Sequence, residues 1–106
     1  MEHLAEIQAW YLAQCDGEWE HGSGVTIESL DNPGWRIAID LRGTALEDVP
    51  FEEVAVDEDD ASDWIRCVRE GTSFTGACGP LRLADLIGVF LGWAARYEEA
   101  AAPSAE

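Results

Sequence analysis

The chain has 106 residues, which is enough for one domain with a modest apolar core. Hydrophobic residues make up 47% of it, a share that excludes a disordered chain. There are 22 acidic and 6 basic side chains, all six of them arginine, and the formal net charge is −16. Such a surface repels nucleic acid and anionic membranes and attracts basic partners, although the same charge also serves solubility alone.

The N-terminal segment has the pattern of a helix. Leu4, Ile7, Tyr11 and Cys15 recur at helical spacing, with Trp10 beside them, and predict a helix over 3–15. The first residues, MEHLAEIQAWYL, lack the basic and apolar regions of a signal peptide. The three cysteines have no close pair and form a poor disulfide framework. We therefore expect a soluble cytoplasmic protein in a reducing compartment.

Short strands are predicted after this helix. GVTIESL and WRIAIDL alternate apolar and polar residues on either side of the turn signal DNPG, and this predicts a hairpin. Shorter strands are predicted at 52–57, 64–70 and 73–77, in the order of an antiparallel meander. Because the first strong period-two pattern places Ile37 and Ile39 on one side with Trp35, we expect these three side chains to be buried.

A second helix is predicted over 81–97. Its apolar face includes Phe90 and Leu91, which we expect to be buried, and the opposite stripe carries Gly88 and Gly92. Two glycines inside a helix cost about 2 kcal/mol relative to alanine, so we expect close packing along their stripe, either by the first helix or by a second subunit. The predicted fold is α+β: an antiparallel meander of four or five strands flanked by an N-terminal and a C-terminal helix. One domain is expected over 1–98, with a frayed tail at 99–106.

The stretch CDGEWEHGSG at 15–24 holds the residue types of an active site. Cys15 and His21 could form a nucleophile and base, as in a small sulfurtransferase-like enzyme. Against this, Cys15 continues an apolar stripe and has no neighbouring positive charge to lower its pKa. The dispersed cysteines and histidines lack the close pairs of a zinc site, so neither a metal nor a cofactor is expected. Trp19 suits either the core or a binding face.

The acids concentrate in two places. Nine acids and no base lie between Gly43 and Ile65, and a smaller group follows the first helix. Such surfaces suit capture of a basic protein, with charge supplying speed and buried aromatics supplying affinity. A charge run is also the ordinary composition of a solvated face. The candidate partner-binding residues are Asp16, Glu18, Trp19, Glu20, His21, Trp35, Asp57, Glu58, Asp59 and Asp60.

Blocks across most of the chain resemble the immunity protein 53 family of bacterial polymorphic toxin systems. The specific ones are WY…CDGEWEH…G and LDNPGW, followed by PFEEV, DWIRC and FTGACGPLRLADLIGVFLGWA. The resemblance implies a non-catalytic cytoplasmic protein that binds and neutralises a toxin encoded beside it. Taken together with the net charge of −16, this makes the expected partner a cognate toxin domain that is basic, such as a nuclease, and neither nucleic acid nor a membrane is expected as a partner.

Overall fold

The computed structural model describes residues 3–56 and 63–101, with the side chains of the last helix described as far as Arg96. The predicted binding residues Asp57, Glu58, Asp59 and Asp60 lie outside the described residues, as do residues 102–106 of the predicted tail. The helices are α1 (His3–Gln14), α2 (Trp19–Gly22) and α3 (Leu83–Ala101), and the strands are β1 (Val25–Leu30), β2 (Gly34–Asp40), β3 (Val54–Val56), β4 (Ile65–Glu70) and β5 (Ser73–Cys78).

The strands form one antiparallel sheet in the order β1-β2-β5-β4-β3. The predicted α+β fold, with five antiparallel strands and a helix at either end of the described chain, is confirmed. The order departs from a simple meander at one place, because β2 pairs with β5 and not with β3. Their register runs from Trp35 opposite Cys78 to Asp40 opposite Ser73. The sheet is thus a hairpin of β1 and β2 joined edge to edge to a meander of β3, β4 and β5.

One face of the sheet carries the core. α3 packs on β4 and β5, and α1 packs beside α3. Ile37, Ile39 and Phe90 are fully buried, as predicted. The predicted burial of Trp35 and Leu91 is wrong, since both are only half-buried. Trp35 lies near the start of its strand, at the end of the sheet, and Leu91 lines an open groove between α1 and α3.

The buried side of α1 differs from the predicted stripe. Ile7 and Trp10 are buried, whereas Leu4 and Tyr11 are exposed. The helix is turned so that the Trp10 ring meets the Phe90 ring edge-on, with 4.9 Å between the ring centroids. Ile7 of the predicted stripe is therefore in the core together with Trp10, whereas Leu4 and Tyr11 of that stripe are not.

The two glycines of α3 differ in their surroundings. A Cβ added at Gly88 would lie 3.0 Å from the His3 ring of α1, so the predicted close packing is confirmed there. A Cβ added at Gly92 would meet no described atom within 4 Å, so α1 does not pack closely at that position. Gly92 lines a groove between α1 and α3. Within the described residues, no helix is long and apolar enough to cross a membrane.

A long connection, residues 41–53, links β2 to β3 and is held in place by one arginine. Arg69 of β4 donates to the backbone carbonyls of Leu46, Glu47 and Val49, the first at 3.0 Å, and also to that of Gly71 at 2.9 Å. Leu46 and Val49 are themselves buried in the core. A guanidinium can satisfy several carbonyls at once because its donors are fixed in a planar fork. The connection therefore has a defined path across the end of the helix-covered face.

Candidate functional site

The segment 15–24 forms a closed turn and a short helix. Asp16 Oδ1 accepts hydrogen bonds from the amides of Glu18 at 2.9 Å and Trp19 at 3.0 Å, at the start of α2. The Glu20 carboxylate reaches back to accept from the amides of Asp16 at 3.0 Å and Gly17 at 2.9 Å. Gly17 has a φ of 95°, which glycine adopts without strain. This reciprocal arrangement resembles a capping box.

These backbone amides also change the acidity of both carboxyl groups. Hydrogen bonds from the amides of Trp19 and Glu18 lower the pKa of the Asp16 carboxyl. The pKa of the Glu20 carboxyl is lowered by backbone amides, its own first and then those of Asp16 and Gly17. A carboxylate that accepts two amide hydrogen bonds is favoured in its charged form. Asp16 and Glu20 are therefore already engaged in shaping the loop.

Trp19 is a core residue. Its side chain is 9% exposed, and its ring meets that of Trp10 edge-on at a centroid distance of 6.1 Å. Tyr11 lies on its other side, with 5.9 Å between the ring centroids. The indole N–H groups of Trp10 and Trp19 are buried without a hydrogen-bond partner in the described residues. The sequence left open whether Trp19 belongs to the core or to a binding face. Its position is that of a core residue, because a buried indole offers little surface to a partner.

In the described residues, the cysteine and the histidine of this segment are not joined by a hydrogen bond. Cys15 is half-buried, and its thiol donates to the Tyr11 carbonyl, with 3.4 Å from Sγ to the oxygen. His21 is exposed, and no hydrogen bond joins it to Cys15. Cys67 and Cys78 are buried and unpaired, and burial raises the pKa of the Cys67 thiol to about 12. In the part of the chain that the structure describes, no group of three potential ligands could hold a metal ion.

The predicted binding residues fall at two separate places. Gly24, at the end of the segment, pairs with Asp40, whose carboxylate accepts from the Gly24 amide at 3.0 Å. Trp35 lies at the other end of β2, and its indole N–H donates to the Pro80 carbonyl at 3.0 Å. Trp35 and Asp40 are five residue steps apart along the strand, or roughly 17 Å. Asp16, Glu18, Trp19, Glu20 and His21 are thus together, and Trp35 is not among them.

The face of the sheet opposite the helices holds a feature that the sequence did not indicate. Arg36 and Arg66 are both opposite Ala77, on the two strands that flank β5. Each is adjacent in sequence to a buried isoleucine, Ile37 or Ile65, so the arginine side chains point away from the helices. No described helix or strand covers this side of the sheet, here called the uncovered face. The alternation in WRIAIDL gave this direction for Arg36. The distance between the two arginines depends on the pairing of β2 with β5, which no local pattern reveals.

The comparisons with known proteins agree with a binding module. The segment that resembled an active site is a capped loop, and the fold is a small α+β domain with one uncovered sheet face. The model of the family described as immunity protein 53 matches residues 4–95, which extends from α1 through most of α3. The chain belongs to this immunity protein family. No curated protein and no solved structure gave a significant match.

Proposed function

We propose that this protein binds and neutralises the cognate toxin of a bacterial polymorphic toxin system, without catalysis of its own. The observation that carries the proposal is the family match over 4–95, which includes every strand of the sheet. The geometry of 15–24 supports it, because Glu20, one of the two carboxylates that could orient His21 as a base, instead accepts hydrogen bonds from backbone amides. Neutralisation then results from occupation of the toxin's surface.

The charge of the chain supports a basic toxin, such as a nuclease. A nuclease needs positive charge to hold phosphates, and a protein with a net charge of −16 can cover that surface. Glu18 and His21 are exposed beside the capped loop, and Asp57, Glu58, Asp59 and Asp60 extend the acidic surface in the sequence. Charges at the rim of an interface act mainly on the association rate.

The deciding experiment measures binding to the toxin domain encoded by the adjacent gene at two salt concentrations. The variant has four neutralised acids: Asp57, Glu58, Asp59 and Asp60. Asp31→Asn removes one exposed loop acid outside the acidic stretch of 43–65 and gives the effect per charge. We expect the four-acid variant to associate with the toxin domain more slowly than the wild type, and to lose more of the association rate per removed charge than the control variant does. This difference should shrink as added salt reduces the screening length from about 10 Å to about 3 Å.

The outcomes separate the two levels of the proposal. A wild-type protein that neither binds the toxin nor protects cells from it would remove the immunity function. Binding that ignores both salt and neutralisation would leave the function and remove the acidic-surface mechanism.

The rival enzyme hypothesis has its own test in Cys15→Ser. We expect full protection from the toxin, because a hydroxyl can donate to the Tyr11 carbonyl as the thiol does. Circular dichroism controls for folding. A folded Cys15→Ser protein without protective activity would instead favour a sulfurtransferase-like role for Cys15 and His21.

A further inference from the structure

The uncovered sheet face has a row of residues that crosses four strands. From β1 to β4, Glu28, Arg36, Ala77 and Arg66 lie opposite one another in turn. Neighbouring strands are about 4.8 Å apart, so the backbones of the two arginines are about 10 Å apart with only the Ala77 methyl group between them. Two of the six cations of the chain therefore flank a small residue at the centre of this face.

A shallow concavity of 410 Å³ lies over this row. Its lining includes Arg36, Arg66, Trp64, Val68 and Thr75, together with the Ala77 methyl group. One carboxylate also lines it, that of Glu70 at the end of β4, and Glu28 and Glu53 are the ion-pair partners of the two arginines. The centres of protein interfaces are enriched in arginine and tryptophan and depleted of acids, while polar groups form the rim. This face has that composition on a molecule that is otherwise strongly acidic.

Both guanidinium groups keep donors that no described residue accepts. Arg36 Nη1 lies 3.5 Å from Glu28 Oε2, a loose contact, and Arg66 donates from Nε to Glu53 at 3.1 Å. Both side chains are about half exposed, at 42% and 57%. Each guanidinium has five N–H donors, so most of them have no partner in the described part of the chain. A carboxylate can accept from two such donors at once, and this geometry adds specificity as well as affinity.

We propose that the toxin docks on the uncovered sheet face and inserts a carboxylate side chain over Ala77, between Arg36 and Arg66. The inference rests on the proposed function and assigns a different contact from the acidic loop. Ala77 leaves room for the incoming group, and Trp64 and Val68 supply the apolar surface beside it. The toxin that fits is basic overall but carries an aspartate or glutamate at the centre of its binding surface.

The test is whether the affinity for the toxin domain rises or falls when Arg36 or Arg66 loses its charge. Arg36→Gln and Arg66→Gln make the protein more acidic, so long-range attraction to a basic toxin would strengthen. A local carboxylate contact predicts the reverse, with binding of the adjacent toxin domain weakened about tenfold or more by either substitution. The control is Arg96→Gln, because Arg96 is an exposed residue of α3 on the other side of the sheet. It removes the same charge and should leave the affinity for the toxin domain unchanged or slightly raised.

A second variant places the carboxylate inside the protein itself. Ala77→Glu puts it directly opposite both arginines, where cross-strand pairs of opposite charge attract. We expect Ala77→Glu to weaken toxin binding more than Ala77→Gln, which has the same size without the charge, and to melt no lower than that control.

The results distinguish this inference from the proposed function. If the wild type binds and Arg36→Gln, Arg66→Gln and Ala77→Glu bind equally well, the docking surface is wrong and the immunity function stands. The same conclusion follows if Arg96→Gln weakens binding as much as Arg66→Gln. If the wild type fails to bind, the function and the docking surface are both overturned.

Discussion

Asp16 and Glu20 illustrate how residue type differs from residue role. In the sequence they are two carboxylates beside a thiol and an imidazole, which is the composition of a catalytic centre. In the structure they accept four hydrogen bonds from the amides of the same short loop. The sequence identified the end of α1 at this place, since Asp16-Gly17 is a helix stop, but not the reciprocal pairing. A capped turn and an acidic site use the same residues, and only the atoms that they meet distinguish them.

This capping predicts how stability depends on pH. Both carboxyl groups have a folded pKa below their usual values of 3.8 and 4.5. Their contribution is therefore fully present above these usual values and is lost as the pH falls through the lower, folded pKa values. We expect Asp16→Ala and Glu20→Ala to lower the urea midpoint at pH 7 and to differ less from the wild type near pH 2.

Glu18→Gln is the matched control, because the Glu18 side chain is exposed and accepts no hydrogen bond from the described residues. It should leave the urea midpoint close to that of the wild type at both pH values. Equal midpoints for Glu18→Gln and Asp16→Ala at pH 7 would contradict the capping role.

Among the elements, the strands were easier to predict than their arrangement. The alternation in WRIAIDL and the turn DNPG are local, and β1 and β2 form the hairpin that they indicate. The pairing of β2 with β5 is not local, since 32 residues separate Asp40 from Ser73 along the chain. α2 was missed because four residues are too few for a helical period. Trp93 is buried beside Phe90, although the predicted apolar face of α3 did not include it.

The two glycines of α3 provide an internal comparison of helix propensity and packing. Gly92→Ala should raise the free energy of unfolding by about 0.5–1 kcal/mol, because alanine is the better helix former and its methyl group meets open space. Gly88→Ala should gain less or lose stability, because the His3 ring must move away from the new methyl group. Urea denaturation measures both variants. A Gly88→Ala protein as stable as Gly92→Ala would show that His3 gives way freely.

Arg69 offers a test of what holds the connection between the two parts of the sheet. Arg69→Gln removes a donor set that serves the carbonyls of Leu46, Glu47 and Val49, so we expect a loss of about 1–3 kcal/mol in the free energy of unfolding. Arg69→Lys should recover only part of this loss, because an ammonium lacks the planar fork.

Arg42→Gln, a change to an exposed arginine next to the same connection, should alter the free energy of unfolding little. Hydrogen exchange should show faster opening of residues 44–49 in Arg69→Gln, and unchanged exchange there would argue against the clamp.

At the scale of the whole molecule, a net charge of −16 on 106 residues implies self-repulsion in the folded state. We expect the melting temperature to rise as sodium chloride is increased from about 10 mM to about 0.2 M, since the screening length falls from about 30 Å to less than 10 Å. The rise should be smaller when Asp57, Glu58, Asp59 and Asp60 are neutralised together. A melting temperature that falls with salt would mean that attractive ion pairs, such as that of Arg82 with Asp63 at 2.9 Å, outweigh the repulsion.

The junction between β2 and β5 also has a consequence for synthesis on the ribosome. β2 emerges with Ile37 and Ile39, yet its partner strand begins only at Ser73. At about 5–20 residues per second, the new hairpin waits roughly 2–7 s with an unpaired edge and uncovered isoleucines. The helix α3, which packs on β4 and β5, is translated last of all the described elements. The nascent protein therefore passes through an interval in which its own acidic residues are the main protection against aggregation, before there is any folded surface for a partner to recognise.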